Sequence, residues 1–473
     1  MSSSDTVPTM RPHLKTAIAS RTNPIELPRT LDDLRRKFGK AEYAESEKLS
    51  ELAASNAHVG QRKLCIAMIE FLVEAHLTQL HECGRTHPIL VLYVGASIPA
   101  VLTALDLFPQ DRFVCFDPSV EMTLAVARRE LGPEAEKIID ARMNTVSTGL
   151  WSPKQSARSL RSRPALMFVG RTAGLFEDST CDWVLTVARE MGETFELAFV
   201  SDIRRSIHGP RKELGIAEDM VAQARWARTL RVKKFCVKFR LPFHITADIR
   251  KEYERGMRTA VTGLNVPYMH GRCVLQKYAR DFSTEMRLIG LKGTSTTHYD
   301  IQDVEKVLAP FNVVHRGHTR YSPYRAPIRH GDERVPIKLV DQVAESIAES
   351  IYSRETNATR TFDTMGEACV LRDAVLITGG DAKTYADACA RFASMFSVRT
   401  ERRLHKDANM GRGRARRTYA SWVLQGPIKP AAIKAAPVVI RGGGDGDMRS
   451  CVGVIGVCTA ISVAAATAVA STN

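Results

Sequence analysis

The sequence lacks the cysteine patterns that mark zinc sites and disulfide frameworks. Its ten cysteines are scattered, with no C-x-x-C pair and no Cys/His ligand spacing, so we expect free thiols in a reducing compartment. The N-terminal stretch MSSSDTVPTMRPHLKT has no apolar core of the kind that a secretory signal requires. The chain also lacks a G-x-G-x-x-G loop, which disfavours a cofactor held through a pyrophosphate.

What the sequence does have is the composition of a large globular protein with an excess of positive charge. Its 473 residues are 44% hydrophobic and 25% charged, and this length favours two or three domains. The formal net charge is +15 and the isoelectric point is about 9.4. Such a balance favours a polyanionic partner, either nucleic acid or an anionic membrane surface.

We expect four segments along the chain. The first is a disordered N-terminus rich in Ser, Thr, Pro and Arg, and the second is an α/β domain that begins with a helical stretch. A basic extension of unknown fold follows, and then a Gly-rich linker with an apolar tail. The predicted boundaries are 1–30, 31–300, 301–440 and 441–473.

The α/β domain alternates predicted strands and helices, the pattern of a mostly parallel sheet covered by helices on both faces. Its first clear helix, 61–80, carries an apolar stripe at 3.6-residue spacing. The basic insertion 144–163 looks irregular, and the runs 268–278 and 285–291 are expected to add antiparallel character at one edge. The predicted strands are 88–95, 112–117, 165–170, 196–202 and 231–243, and the predicted helices are 99–108, 120–131, 180–191 and 217–230.

The C-terminal segments give weaker signals. Residues 335–353 and 381–396 predict helices, whereas 399–417 carries eight Arg or Lys against two acidic residues. Such a run is either a solvated loop or a contact with RNA. The uncharged stretch 451–470 has the minimum length of a membrane span. Because it is rich in Ala, Gly and Thr, a buried or disordered tail remains the alternative to membrane contact.

One predicted strand raises the question of what Lys238 does. In RVKKFCVKFRLPF (231–243), apolar residues occupy one face of the strand, and Cys236, Lys238 and Arg240 occupy the other. Pro242 then ends the strand, since proline has no N–H to donate. A solvated lysine face is the ordinary interpretation. A catalytic Lys238 requires that other ionisable residues converge on it.

Polar residues follow three of the predicted strands. Gly95 lies in the loop YVGASIPA (93–100), Asp117 follows the second strand, and Ser201 and Asp202 follow the fourth. Ligands of open α/β sheets bind at the carboxyl ends of the strands, where such residues meet. A carboxylate like that of Asp117 either grips a ribose diol or caps a helix. A loop without a phosphate signature suits S-adenosylmethionine.

Six short motifs between about residue 35 and residue 300 keep a common order and spacing. They are VGQRKL (59–64), LYVGAS (92–97), VSDIRR (200–205), CVKFRLPF (236–243), HGRCVLQKY (270–278) and FSTEMRLIG (282–290). Together they resemble the motifs of the poxvirus-type cap-specific mRNA 2′-O-methyltransferases, a family that also serves as the small subunit of poly(A) polymerase.

This resemblance implies a Rossmann-like fold, S-adenosylmethionine as cofactor and a Lys-Asp-Lys-Glu tetrad that catalyses methyl transfer. By motif, the tetrad falls on Lys63, Asp202, Lys238 and Glu285. The resemblance also implies a cofactor site at Gln61, Tyr93, Gly95, Ser97, Asp117, Arg171, Thr172 and Ala173.

Capped RNA is the substrate that the resemblance implies. Phe243 corresponds to an aromatic residue that stacks on the methylated guanine of the cap, and Tyr43 is a candidate for the opposite stacking partner. Basic residues near the tetrad suit RNA phosphates, with solvated surface as the alternative. They are Arg204, Arg205, Arg211, Lys212 and Arg287.

The sequence departs from the family pattern at two places. The proline-glycine pair that closes the family's cofactor loop is Pro99-Ala100 here, with one residue inserted. The carboxylate expected two residues after Phe243 is Ile245. The first difference concerns the shape of the cofactor loop, and the second removes a contact to the guanine edge.

The tetrad's residue types suit transfer of a methyl group to a ribose hydroxyl. The hydroxyl must lose its proton as it attacks in line, so the site needs a positioned base. A lysine is a base only when its pKa falls well below about 10.4, and burial and a second cation both favour this. We assign Lys238 as the base and Asp202 as its positioning partner, with Lys63 and Glu285 as the tuning pair.

We therefore expect a cytoplasmic, viral enzyme that methylates the ribose next to the 5′ cap of mRNA. Partners would include polymerase or other replication-complex subunits, with membrane contact through 451–470. The main alternative is a non-catalytic RNA-binding or processivity subunit with the same fold, which Ala100 favours and the intact tetrad opposes. A membrane-tethered scaffold is a further alternative.

Overall fold

The computed structural model describes most of the chain up to Phe396. The described residues are 24–38, 60–118, 143–147, 150–161, 166–170, 174–192, 194–203, 211–279, 284–317, 319–324, 333–351 and 360–396. The predicted helix 120–131, the basic run 399–417, the linker at 441–447 and the apolar stretch 451–470 lie outside them.

Helices and strands alternate through the first two thirds of the chain, and helices dominate afterwards. The helices are α1 (Leu31–Phe38), α2 (Gly60–Cys83), α3 (Ile98–Leu107), α4 (Pro153–Arg161), α5 (Asp178–Met191), α6 (Lys212–Thr229), α7 (Ala247–Met257), α8 (Ile301–Pro310), α9 (Ile337–Ile351), α10 (Phe362–Ile377) and α11 (Ala382–Met395). The strands are β1 (Ile25–Glu26), β2 (Ile89–Val94), β3 (Arg112–Phe116), β4 (Met143–Ser147), β5 (Leu166–Val169), β6 (Glu196–Ser201), β7 (Lys234–Phe239), β8 (Asn265–Met269), β9 (Arg272–Val274), β10 (Met286–Gly290), β11 (Thr296–Asp300) and β12 (Tyr321–Ser322).

An eight-stranded sheet forms the centre of the molecule. Its order is β4-β5-β3-β2-β6-β7-β10-β9, and only β10 runs antiparallel to its neighbours. Strand β2 lies near the middle of the sheet. Strands β3, β4 and β5 lie on one side of it, and the later strands β6, β7, β10 and β9 lie on the other side. This confirms the predicted α/β class and mostly parallel sheet, and the order is compatible with a Rossmann-like fold. The strand order reverses between β2 and β6, which is where ligands of open α/β sheets bind.

The central strands are apolar because helices cover both faces of the sheet. All six residues of β2, ILVLYV, are buried, as are all six of β7, KFCVKF. The sequence pattern had predicted one solvated face for β7, but Lys238 is only 8% exposed. A lysine buried to that degree requires charge partners.

Helix α2 is buried around its whole circumference, whereas the sequence predicted one apolar stripe. Every residue from Cys65 to His76 is buried, including Glu70 and Glu74. The reason is that α2 packs against α3 and β7 on the sheet and against α10 from the C-terminal region. In the described part of the chain, α2 is the one helix long and apolar enough to cross a membrane, a weak signal because most of it lies inside the core.

The C-terminal helices share the core of the sheet domain. Helices α9, α10 and α11, of which the sequence predicted the first and last, contribute side chains to the same apolar cluster as β2 and α2. Helix α10 escaped the sequence analysis because it is buried along nearly its whole length and has no polar face. The described residues between 301 and 396, expected as an extension of unknown fold, thus contribute to one continuous interior.

Two further segments differ from the sequence expectation within the described residues. The insertion 144–163 is not irregular: β4 extends the sheet edge, and α4 buries Leu160 against the domain. Residues 24–30 are ordered although they lie in the segment expected to be disordered. Strand β1 pairs with β12, and Leu27 is 3% exposed, so tertiary pairing fixes a segment whose composition alone gives no structure.

The shared core predicts that the chain cannot be divided near residue 300. A chain ending at Asp300 would expose the buried face of α2 that α10 covers, and we expect it to aggregate or to unfold without cooperativity. A chain ending at Ala415, the end of the first compact unit, should unfold in one transition. Size-exclusion chromatography and thermal denaturation compare the two, and a soluble, cooperative 1–300 chain would contradict the shared core.

Candidate active site

The loop after β2 lies at the point where the strand order reverses. Gly95 has a φ of +74°, a conformation that side chains rarely adopt. A Cβ at this position would lie 3.2 Å from the backbone of both Asp202 and Ile203. Gly95 therefore allows the ends of β2 and β6 to approach closely, and its N–H donates to the carbonyl of Phe116 at the end of β3 at 2.9 Å.

The same loop is fixed to the start of α2. Ser97 caps α3 by accepting from the N–H of Ala100 at 3.3 Å, and its hydroxyl donates to Gln61 Oε1 at 2.5 Å. Two predicted cofactor residues thus contact each other. Pro99 lies in the first turn of α3, where proline is tolerated, and Ala100 is buried in the core, so the departure from the family pattern falls in a regular helix start.

Asp117 follows β3 and is half-buried beside the next strand. Its N–H donates to the carbonyl of Val169 at 3.2 Å. Gly174 packs onto the Asp117 backbone, and a Cβ there would lie only 2.7 Å from its carbonyl. Gly174, which directly follows the predicted cofactor residues 171–173, therefore lies against Asp117. Residues 171–173 themselves lie outside the described part of the chain.

The four predicted catalytic residues come together at this edge of the sheet. Lys63 Nζ donates to Glu285 Oε1 at 2.8 Å, and Lys238 Nζ lies 3.6 Å from Glu285 Oε2. Lys238 Nζ also lies 3.3 Å from Asp202 Oδ1. These residues derive from the start of α2, the end of β6, strand β7 and the residue before β10. Their convergence is a tertiary fact that their positions in the sequence only suggested.

Arg287 is a fifth member of the cluster and corrects one sequence prediction. It was expected to contact RNA phosphates, but it is 3% exposed and its Nη2 donates to Asp202 Oδ1 at 2.6 Å. Its backbone lies directly opposite Lys238 in the register of β10 and β7. A buried guanidinium paired with a carboxylate is not available to RNA, so Arg287 belongs to the charge cluster.

The cluster holds three cations and two carboxylates at closely packed positions. Burial alone would raise the pKa of Asp202 above its ordinary 3.8, but the charges of Arg287, Lys238 and Lys63 outweigh burial and lower it. Burial would likewise lower the pKa of Arg287, yet Asp202 raises it above its ordinary value. Arg287 and Asp202 therefore stay ionised. Among the ion pairs described between these five side chains, the two that Lys238 makes are the longest.

Gln276 is a site residue that the sequence analysis did not single out. It is 2% exposed. With its amide oriented to satisfy its neighbours, the nitrogen donates to Glu285 Oε1 at 2.9 Å. The oxygen then accepts from Nε and Nη2 of Arg287, each at 3.1 Å. Gln276 thus links a carboxylate to a guanidinium within the cluster, and its place in the HGRCVLQKY motif was the signal that could have identified it.

Tyr93 supports the cluster from the interior. Its side chain is 2% exposed, and burial, reinforced by the charge of Asp202, raises its pKa well above 10.0. The hydroxyl therefore stays protonated. The Tyr93 backbone lies between β3 and β6 in the sheet, so this residue belongs to the interior beside the cluster.

An exposed aromatic residue lies beyond the end of β7. Phe243 is 44% exposed, and the guanidinium of Arg240 lies 4.3 Å from the centre of its ring. Glu213 holds both residues: Oε1 accepts from Arg240 Nη2 at 2.8 Å, and Oε2 accepts from the N–H of Phe243 at 3.1 Å. The ring is therefore supported from one side, and Glu213 and Arg240 are positioning residues that the sequence did not reveal.

The remaining predicted RNA contacts are divided between surface and undescribed positions. Arg211 and Lys212 are exposed at the start of α6, next to Glu213, and Ile245 packs partly against the core. Tyr43, Arg204 and Arg205 lie outside the described residues.

We predict that Asp202→Asn lowers the free energy of unfolding by about 3–5 kcal/mol near neutral pH, because it leaves the buried Arg287 without its charge partner. Folding lowers the Asp202 pKa below 3.8, so the stability contributed by its ionised form is complete above that pH. It is lost as the pH falls through the lowered folded-state value. Urea unfolding of the wild type and of Asp202→Asn across pH measures the difference in their free energies of unfolding. We expect this difference to become smaller only in acid.

Asp178→Asn is the matched control, because Asp178 pairs with Arg225 at an exposed position. We expect it to change the free energy of unfolding by less than about 1 kcal/mol. The lowered Asp202 pKa would be contradicted if the difference in free energy of unfolding between wild type and Asp202→Asn stayed constant down to about pH 2.

No family model matches the chain, and a search of curated proteins returns no match.

Proposed function

We propose that this protein is an S-adenosylmethionine-dependent methyltransferase that acts on the ribose 2′-hydroxyl next to the 5′ cap of mRNA. The observation that carries the proposal is the convergence of Lys63, Asp202, Lys238 and Glu285 beside the Gly95 loop. Buried clusters of ionisable groups at a strand switch point are typical of active sites. The family resemblance of the motifs supplies the reaction.

The residues around the Gly95 loop fit a nucleoside-type methyl donor. The Gly95 turn, the Gln61–Ser97 contact and the half-buried Asp117 lie at one edge of the sheet, and none of them forms a phosphate loop. When bound there, S-adenosylmethionine supplies an electrophilic methyl group. Asp117 would hold the ribose diol, and Gln61 and Ser97 would hold the polar end of the donor.

Lys238 is the proposed base. It is nearly buried, and it lies opposite Arg287 in the strand register. Burial and a neighbouring fixed positive charge both favour the neutral amine. With three cations against two carboxylates, loss of one proton leaves the cluster neutral, and Lys238 is the lysine that contacts both carboxylates. The amine then accepts the proton of the attacking hydroxyl.

Asp202 and Glu285 hold the amine of Lys238 in place. Asp202 is itself fixed by Arg287, and Glu285 is fixed by Lys63 and Gln276. Each carboxylate therefore has a second partner that limits its movement. This arrangement keeps the lone pair of Lys238 aimed at one point, which is the requirement for an in-line displacement.

The surface beyond β7 supports a capped RNA as the substrate. Phe243 offers a ring for stacking, supported from one side by Arg240, and stacking tolerates any base. The exposed Arg211 and Lys212 directly precede Glu213, the residue that accepts from the N–H of Phe243. The net charge of +15 adds general attraction to RNA.

We predict that Lys238→Met strongly slows methyl transfer while the protein stays folded. Transfer from labelled S-adenosylmethionine to short RNAs with an N7-methylated cap, an unmethylated cap or no cap measures the activity. We expect kcat to fall by roughly 100- to 10,000-fold, because a general base is lost, and the KM for RNA to change little.

Lys234→Met is the control. Lys234 is also buried and ion-paired, with Glu196, on the same strand but at its opposite end. The folded fraction of Lys234→Met should retain the wild-type kcat. Wild-type protein that binds capped RNA but transfers no methyl group would contradict the proposal and favour the non-catalytic RNA-binding subunit.

We also predict that Phe243→Ala raises the KM for capped RNA by about tenfold or more, since stacking on an aromatic side chain contributes about 1–3 kcal/mol. The kcat at saturating RNA should stay near the wild-type value, and Phe243→Trp should keep the low KM. An equal loss on capped and uncapped RNA would contradict a role in binding the cap.

A further inference from the structure

The residues on either side of the proposed active site are bound by one buried carboxylate of a C-terminal helix. Glu367 of α10 is 1% exposed. Its Oε2 accepts from Arg62 Nε at 2.6 Å and from the hydroxyl of Tyr278 at 2.6 Å, and its Oε1 accepts from Arg62 Nη2 at 2.5 Å. A single side chain thus contacts two segments that each lead directly into the site.

The first segment is the start of α2. Arg62 is fully buried, and it lies between Gln61 and Lys63 in the chain. Besides its paired bonds to Glu367, its Nη1 donates to the carbonyl of Phe396 at 2.9 Å. The first turn of a helix has no intrahelical acceptor for its N–H groups and is therefore the easiest part to fray. Arg62 anchors this turn to the C-terminal helices.

The second segment is Gln276–Tyr278. Tyr278 has a φ of +56°, an unfavourable conformation for a residue with a side chain. It is held by two carboxylates of α10, because its N–H donates to Asp363 at 2.7 Å and its hydroxyl to Glu367. Strained backbone of this kind persists only where the surroundings impose it. Arg316 adds a bond to the carbonyl of Gln276 at 3.1 Å.

We propose that Glu367 is a positioning residue for catalysis. Through Arg62 it fixes the turn that carries Gln61 and Lys63, and through Tyr278 it fixes the segment that carries Gln276. Both lines end on Glu285, which accepts from Lys63 and from Gln276. The C-terminal region is therefore part of the catalytic apparatus. This inference rests on the proposed function, and it assigns residues beyond 300 a role in that function.

The test is Glu367→Gln in the full chain, which keeps the side-chain shape and removes the charge. We expect kcat to fall by about 100-fold, as small misplacements of catalytic groups do. The pH profile of kcat should also shift, because the Lys63–Glu285 contact loosens. The affinity for S-adenosylmethionine, measured by calorimetry, should fall with it through Gln61.

Asp373→Asn is the matched control. Asp373 is a buried, ion-paired carboxylate on the same helix, bound to Arg372 and to the hydroxyl of Tyr324 at 2.6 Å. It contacts neither Arg62 nor Tyr278 in any bond that the structure describes for it. A loss of stability alone would affect both variants equally. The inference is overturned if folded Glu367→Gln keeps the kcat, the pH profile and the donor affinity of Asp373→Asn.

Hydrogen exchange separates this inference from the proposed function. The amides of residues 64–67, the first to donate within α2, should exchange faster in Glu367→Gln than in Asp373→Asn, whatever reaction the site catalyses. If the wild-type protein transfers no methyl group, the proposed function is refuted. The difference in exchange between the two variants would still test whether Glu367 anchors α2. Unchanged exchange would refute the anchoring of α2.

If Glu367→Gln does not fold, the paired variant Arg62→Met/Glu367→Met replaces it, since replacing both partners of a buried ion pair is often tolerated. We expect this variant to fold, to exchange faster at residues 64–67 and to lose kcat. A paired variant with wild-type kcat would overturn the role of the ion pair.

Discussion

The structure of the site depends on keeping Asp202 ionised inside the protein. A carboxylate at the end of β6 is costly to bury unless cations surround it. Arg287 provides the closest contact, at 2.6 Å, and Lys238 lies at 3.3 Å. Those two cations in turn lie side by side on β10 and β7, so a second carboxylate, Glu285, is needed beside Lys238, and Lys63 holds that carboxylate.

The need to pair these buried charges explains several features that would otherwise be unrelated. The antiparallel β10 brings Arg287 next to Lys238, and the segment before it supplies Glu285. The loop at Gly95 must pass within van der Waals distance of the Asp202 backbone, which a side chain would crowd. Helix α2 must begin close enough to deliver Lys63, and the C-terminal helices hold that beginning through Arg62 and Glu367.

The sequence predicted much of the fold and most of the cluster. Strands such as β2 and β7 are continuous apolar runs, and their boundaries follow from composition and turn residues. The four tetrad residues were identified from motif context. Gln276 was not, because an amide inside a motif carries no chemical signal until its two partners are known. The burial of Arg287 was also missed, because an arginine on a strand usually faces solvent.

The sequence by itself therefore determined the α/β class, the succession of core strands along the chain and the residue types available at their ends, because these follow from local periodicity. Tertiary structure alone decided that α2 is covered on all sides, that residues 24–30 and β4 join sheets, and that Arg287 and Gln276 belong to the charge cluster. It also decided that Glu367 reaches Arg62 across 305 positions of the chain. The physical reason is that burial and ion pairing depend on which distant segments meet, and local pattern does not encode that.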